Sequence, residues 1–154
     1  MRRLIKWLAT VGGVGRCPIA PGTAGSGAGM LFAWLSARTL SPLGGVVSVV
    51  GLLLLGVYAA GRVASETGNP DPSVVVIDEA VGMWLVCAAV PKVLRVGWLA
   101  ILAFALFRLF DISKVPPLKR LERVHGGWGI MLDDVGAAVY ACLVLRLVLR
   151  VLGL

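Results

Sequence analysis

The chain has 154 residues, enough for one domain or one compact membrane unit and too few for two cores. Apolar residues make up 58% of it before its 20 glycines are counted, and charged residues only 15%. An average soluble domain carries about 25% charged residues, so a water-soluble fold would have to expose much apolar surface. The net charge of +7 suits anionic lipid headgroups. A nucleic-acid partner is not expected, because no basic face is interleaved with exposed aromatics.

Residues 1–10 begin like a signal peptide, but no small-residue cleavage site follows, so a retained interfacial helix is expected. A Gly/Pro loop over 12–23 leads into a helix predicted at 24–40, with Thr23 or Ser26 as its cap. The loop lacks Gly-Lys-Ser/Thr and is not a P-loop. Gly25 and Gly29 form a GxxxG pair suited to close helix packing. A turn at Ser41 and Pro42 precedes a second helix at 43–64. Uncharged runs of 21 residues (17–37) and 23 residues (39–61) run through these two helices. Each is near the ~20 residues that cross a bilayer as helix.

A polar segment, 65–73, comes next, and 74–77 reads as a buried approach to a helix or, less favoured, a short strand. A helical hairpin is predicted over 78–110, turning at 92–95, where Lys92 and Arg95 can snorkel to an interface. After a second polar segment, 111–133, a last helix is expected to begin at Asp133 and Asp134. The five tryptophans (Trp7, Trp34, Trp84, Trp98, Trp128) sit near run ends, as interfacial anchors do. Cys17, Cys87 and Cys142 are odd in number and widely spaced, and read as reduced thiols. The expected fold class is all-α: a small polytopic helical membrane bundle, one unit over 1–154, with its polar loops on the cytoplasmic face.

The acids carry the functional signal. All eight fall in two stretches: Glu66, Asp71, Asp78 and Glu79, then Asp111, Glu122, Asp133 and Asp134. Counting crossings puts both stretches on one side, together with ten of the fifteen Lys/Arg, and the positive-inside tendency makes that side cytoplasmic. Asp78 and Glu79 can complement a helix dipole, but they lead directly into an apolar helix, where charge is costly unless it has a use. Arg108, Asp111 and Lys114 share one helical face. That spacing serves either a structural salt bridge or a carboxylate flanked by two phosphate-binding cations. His125, the single histidine, lies in a Gly-rich segment and reads equally as an acid/base group or a structural one. The two acidic helix starts with Asp111 between them make an oxygen-rich set suited to Mg²⁺. Glu122, in the basic run 119–123, reads as a surface acid.

Four segments, PIAPGTAGS (18–26), IDEAVGMW (77–84), FRLFDISK (107–114) and HGGWGIMLDD (125–134), resemble the phosphatidylglycerophosphatase A family in order and spacing. One departure is Val115-Pro116-Pro117, where the family reads Pro-x-Pro after the lysine. The resemblance implies a Mg²⁺-dependent enzyme of the bacterial inner membrane that removes the terminal phosphate of phosphatidylglycerophosphate at the cytoplasmic surface. It implies metal ligands among Asp78, Glu79, Asp111, Asp133 and Asp134. Adjacent helical residues diverge by about 100°, so one member of each acidic pair is expected to bind metal while the other activates water or supports a ligand. Arg108 and Lys114, with Thr23 or Ser26, would grip the phosphate; Asp78, Asp133 and His125 complete the catalytic candidates. Rival readings are a phosphatase or phosphotransferase for another lipid or polyprenyl phosphate, and a small ion transporter.

The crossing count has a direct test. In a background with the three native cysteines replaced by serine, Ser73→Cys and Ser113→Cys are expected to react with an impermeant thiol reagent from the cytoplasmic face, and Ser41→Cys from the other. Labelling of Ser73→Cys and Ser113→Cys from opposite faces would split the site.

Overall fold

The computed structural model describes residues 2–116, 118 and 124–154. These form helices α1 (Arg2–Ala9), α2 (Pro21–Thr39), α3 (Pro42–Thr67), α4 (Ile77–Ala89), α5 (Gly97–Ser113) and α6 (Gly127–Val151), with single 3-10 turns at Val14–Arg16 and Pro91–Leu94. No strand occurs among the described residues. The expected all-α architecture and the order of its helices are what the structure shows. Val75 and Val76 are a buried lead-in to α4, tied to the end of α1 by the Val76 N–H donating to the Ala9 carbonyl at 3.0 Å.

α4 is the axis of the molecule. Nine of its thirteen residues are buried, and α2, α3, α5 and α6 all pack against it. Its thirteen residues rise about 20 Å, too short to cross a bilayer alone. The sequence reading treats this segment as half of a hairpin. The hairpin turn is where it was expected, but α4 is apolar on every side because it is enclosed by helices, not by lipid. Trp84 accordingly is a core residue packed 6.2 Å from the Phe32 ring, not an interfacial anchor. Trp7, Trp34, Trp98 and Trp128 do face outward.

Small residues allow the close approach around this axis. α2 presents Gly22, Gly25, Ser26, Gly29 and Ala33 as one buried face, and packs it along α4. A Cβ on Gly29 would stand 2.1 Å from the Ala80 carbonyl oxygen, so the Gly25/Gly29 pair is the packing face the sequence suggested. α6 crosses α3 as tightly, with a Gly127 Cβ falling 1.8 Å from the Val57 carbonyl oxygen.

Several boundaries move. α2 starts at Pro21, whose missing N–H costs nothing at a first-turn position. Thr23 and Ser26 therefore lie inside the helix and do not cap it; the Ser26 hydroxyl donates to the Gly22 carbonyl at 2.9 Å. α3 is capped by Ser41, whose hydroxyl accepts the Gly44 N–H at 3.1 Å, and ends on Gly68 in the left-handed region. α5 ends at Ser113 because Lys114, just before Val115 and Pro116, turns into the left-handed region (φ 45°). α6 begins at Gly127, so Asp133 and Asp134 sit in its second turn and do not open it.

Among the described residues, α3 alone is long and apolar enough to cross a membrane; only 22% of its most apolar stretch is buried inside the protein. A soluble protein's core helix would be mostly enclosed. Leu43, Val47, Leu54 and Leu55 of α3 face outward, as do Ile101 and Ile112 of α5 and Leu143, Leu147 and Val151 of α6. The other helices do not pass on length and composition: α2 is glycine-rich, α4 and α5 are short, and α6 carries Asp133, Asp134, Arg146 and Arg150.

The α2/α4 contact yields a stability prediction. Gly29→Val drives a branched side chain into backbone, and is expected to lower the thermal unfolding midpoint of the purified protein by the equivalent of about 1–3 kcal/mol or to abolish folding. Gly27→Val, with nothing within 4 Å of the added Cβ, should leave the midpoint close to wild type.

Candidate active site

α4 and α6 meet with acidic residues at the same end. Asp78 and Glu79 occupy the first turn of α4, outside the apolar runs, and Asp134 faces them from α6. One carboxylate oxygen from each of the three lies within 4.8 Å of the others. Asp78 Oδ1, Glu79 Oε2 and Asp134 Oδ2 are buried with no hydrogen-bond partner in the protein.

Such a cluster resists being charged. Burial first, and Glu79 second, push the Asp78 carboxyl well above the ordinary carboxylate range. Asp134 is driven up in the same way by burial and then by Asp78, Asp111 and Glu79. Glu79 is raised by burial, with Asp111 adding to the rise and Arg108 opposing it. Two buried carboxylates and a half-buried one, each with an unsatisfied oxygen and with no sulfur or imidazole among them, fit a hard divalent cation, which would relieve their repulsion and satisfy the stranded oxygens. The cluster could hold such an ion.

Around it lies a cavity of about 490 Å³, lined by the triad and by Arg108, Asp111, Lys114, His125 and Asp133. Two ion pairs divide this second set. Arg108 donates to the Asp111 carboxylate and lies 3.8 Å from Glu79 Oε1. Lys114 Nζ is 2.8 Å from Asp133 Oδ2. Arg108 keeps a buried Nε–H without a partner. Arg108 and Asp111 come from the last turns of α5. Lys114 reaches α6 because its left-handed backbone swings it off the helical face on which the spacing placed it.

The expected sites thus separate. Asp78 and Glu79 both bring a carboxylate oxygen into the triad. Asp111 and Asp133 lie in the same cavity but carry ion pairs. His125 is exposed at the cavity mouth. Thr23 is exposed and Ser26 is enclosed against α4, and neither lines the cavity. Glu66 pairs with Lys6 at 3.4 Å and Arg2 at 3.9 Å, fastening α1 to α3. Glu122, with Lys119, Arg120 and Arg123, lies outside the described residues.

The family profile of Phosphatidylglycerophosphatase A matches residues 7–149. The chain belongs to this family. Membership places it among enzymes that hydrolyse phosphoric monoesters, with a lipid phosphate as the implied substrate. A Haemophilus influenzae protein named phosphatidylglycerophosphatase A is 39% identical over 142 residues, covering 91% of this chain and 85% of the relative. An Escherichia coli protein of the same name is 38% identical over 134 residues, covering 86% and 76%. A Bacteroides thetaiotaomicron protein, provisionally named a phosphatidylinositol-3-phosphatase, is 39% identical over 146 residues, covering 92% and 91%. No solved structure gives a significant match.

Within the phosphatidylglycerophosphatase A framework, three further lining positions were not among the expected site residues: Gly22, Ser73 and Asp71, the last noted only as one of the segregated acids. Gly22 was legible only as part of a Gly/Pro loop. Its role is spatial, since an added Cβ would stand 2.2 Å from Glu79 Oε1 and 3.0 Å from an Arg108 nitrogen. Gly22→Ala must therefore displace the Glu79 carboxylate. It is expected to lower kcat/KM about ten- to a hundredfold, the scale of an ångström misplacement in a reacting group. The unfolding midpoint, measured alongside, should change little; wild-type turnover in Gly22→Ala would show that Glu79 has no positional role.

Proposed function

We propose that this enzyme hydrolyses the terminal phosphomonoester of phosphatidylglycerophosphate, giving phosphatidylglycerol and phosphate, with Mg²⁺ as cofactor. The observation that carries the proposal is the triad Asp78, Glu79 and Asp134, its stranded oxygens facing a cavity that also holds Arg108 and Lys114. The names of all three relatives point to a phosphomonoester on a glycerophospholipid headgroup.

In this reading Asp78, Glu79 and Asp134 hold the cation, which when bound neutralises phosphate charge and favours ionisation of water. Arg108 and Lys114 hold phosphate oxygens; the Arg108 guanidinium offers a planar fork and Lys114 a compact charge. Asp111 and Asp133 orient these two cations through the ion pairs described above. Hydrolysis moves one proton from the attacking water and returns one to the leaving glycerol oxygen. Asp133, beside the triad, is assigned the first transfer, and His125, at the mouth, the second. Thr23 and Ser26 keep no role in this assignment.

The enzyme is assigned to the bacterial inner membrane, with α3 crossing it and the cavity at the cytoplasmic headgroup level. The outward apolar surfaces of α3, α5 and α6 and the gathering of acids at one end support this. A transporter would place its acids along a path through the bundle, whereas the triad lies at the end of α4, open to a cavity.

Phosphate release from purified lipids tests the proposal. Turnover of phosphatidylglycerophosphate should exceed that of phosphatidylinositol 3-phosphate, phosphatidic acid and polyprenyl phosphates, disappear with EDTA and return with Mg²⁺. Asp134→Asn is expected to cost at least ~10²-fold in kcat, while Glu66→Gln, remote from the cavity, costs little. Mg²⁺ should also raise the unfolding midpoint of wild type and not of Asp134→Asn, since binding stabilises only a protein that keeps its site. Faster turnover of a polyprenyl phosphate, or full activity in EDTA, would reject this assignment.

A further inference from the structure

Building on the reading of this cavity as a lipid phosphomonoesterase site, we propose that Asp71, with Ser73 beside it, selects headgroups bearing a free hydroxyl next to the phosphate-bearing carbon. The cavity has two zones. Its deep part holds the triad and the two ion pairs, which account for cation and phosphate. Asp71 and Ser73 line the same cavity from the loop between α3 and α4, where both are exposed.

Among the described residues Asp71 belongs to neither the triad nor an ion pair, unlike the other acids of the cavity. Its loop is exposed yet firmly built. Gly68 turns the chain with φ 67°, and the Asn69 side-chain oxygen accepts the Asp71 N–H at 3.1 Å. The Pro72 carbonyl accepts the Val75 N–H at 2.9 Å, and the Pro72 ring is buried. Pro70 and Pro72 fix φ on either side of Asp71. The backbone that carries this carboxylate is thus restrained at the rim before any ligand arrives, so only the side chain is left to order on binding.

Its charge is the informative feature. A carboxylate beside a phosphate site opposes anion binding by like-charge repulsion, more so at the reduced dielectric of a cleft. An ionised carboxylate can only accept hydrogen bonds, and a serine hydroxyl can accept and donate. The ligand groups this pair suits are therefore hydroxyls. A glycerol phosphate or inositol phosphate headgroup offers one adjacent to the phosphate; phosphatidic acid, phosphorylated directly on its diacylglycerol, offers none. A site arranged to accept a substrate hydroxyl discriminates against the analogue that lacks it. At an exposed rim the discrimination is about ten- to a hundredfold, the worth of one hydrogen bond to a charged group.

The test compares kcat/KM in mixed micelles for phosphatidylglycerophosphate, its analogue with a propanediol phosphate headgroup lacking the free hydroxyl, and phosphatidic acid. Wild type should prefer the hydroxylated lipid ten- to a hundredfold. Asp71→Ala should lose that preference, through a raised KM for the hydroxylated lipid and, with the repulsion of its phosphate relieved, a somewhat lower KM for the analogue. Asp71→Asn, which keeps an acceptor, should retain part of it. An equal loss on all three lipids, or a preference undiminished in Asp71→Ala, overturns the role of Asp71 alone. Wild type releasing phosphate from none of them overturns the phosphomonoesterase reading along with it.

Discussion

Three carboxylates buried at the meeting of two helices are the constraint around which this molecule is arranged. Left to itself, the contact between Asp78, Glu79 and Asp134 is unfavourable: each is desolvated and each repels the others. It persists because α4 and α6 are fixed by apolar packing along their lengths, within a buried cluster that includes Val81, Met83, Ala137 and Ala141. The opposing charge is supplied in a second ring, with Arg108 reaching Glu79 and Asp111 and Lys114 reaching Asp133. Packing energy remote from the site is stored as electrostatic tension within it, and a divalent cation is the simplest species that releases that tension.

This arrangement explains why so many glycines lie near the acids. Helices that carry buried charge must approach closely enough for a few ligand oxygens to converge, and side chains between them would prevent it. Gly22 lets the start of α2 lie against Glu79 and Arg108, and Gly29 lets the same helix rest on the Ala80 backbone. Gly127 does the same where α6 crosses α3. The glycines spend helix propensity, roughly 1 kcal/mol each relative to alanine, on proximity.

Much of this was legible in the sequence, and the exceptions have physical causes. Acid segregation marked one end of the bundle, and Asp78, Glu79, Asp111, Asp133 and Asp134 do line one cavity. The start of α6 was misplaced because Gly126, Gly127 and Gly129 look like loop residues, whereas tertiary packing against Val57 makes a helix of most of that stretch. Asp134 consequently meets the triad from a second turn. Asp78 and Glu79 were expected to diverge by the 100° of helical geometry. Long, flexible glutamate side chains cross that angle, and the first turn of a helix lets both carboxylates bend toward one point. α4 is the hairpin arm that was expected, but its enclosure by other helices was not legible, because periodicity cannot distinguish a helix buried in protein from one bathed in lipid. Its shortness was the available clue.

That shortness also decides where the chemistry takes place. A helix of about 20 Å enclosed by longer neighbours ends before they do, so the acids of its first turn lie in a recess among the other helices. α3 extends about 39 Å for its 26 residues, and its outward face is apolar over most of that length. Under the proposed function, a lipid whose tails lay along such a surface would present its headgroup at the level of the first turn of α4, where the recess is lined by cations and carboxylates. Extending α4 would carry its acids out toward water and lose the desolvation that strengthens them; shortening it would draw them into the apolar core, where no headgroup could follow. The length of one buried helix thus sets both the electrostatics of the site and its reach to a lipid phosphate.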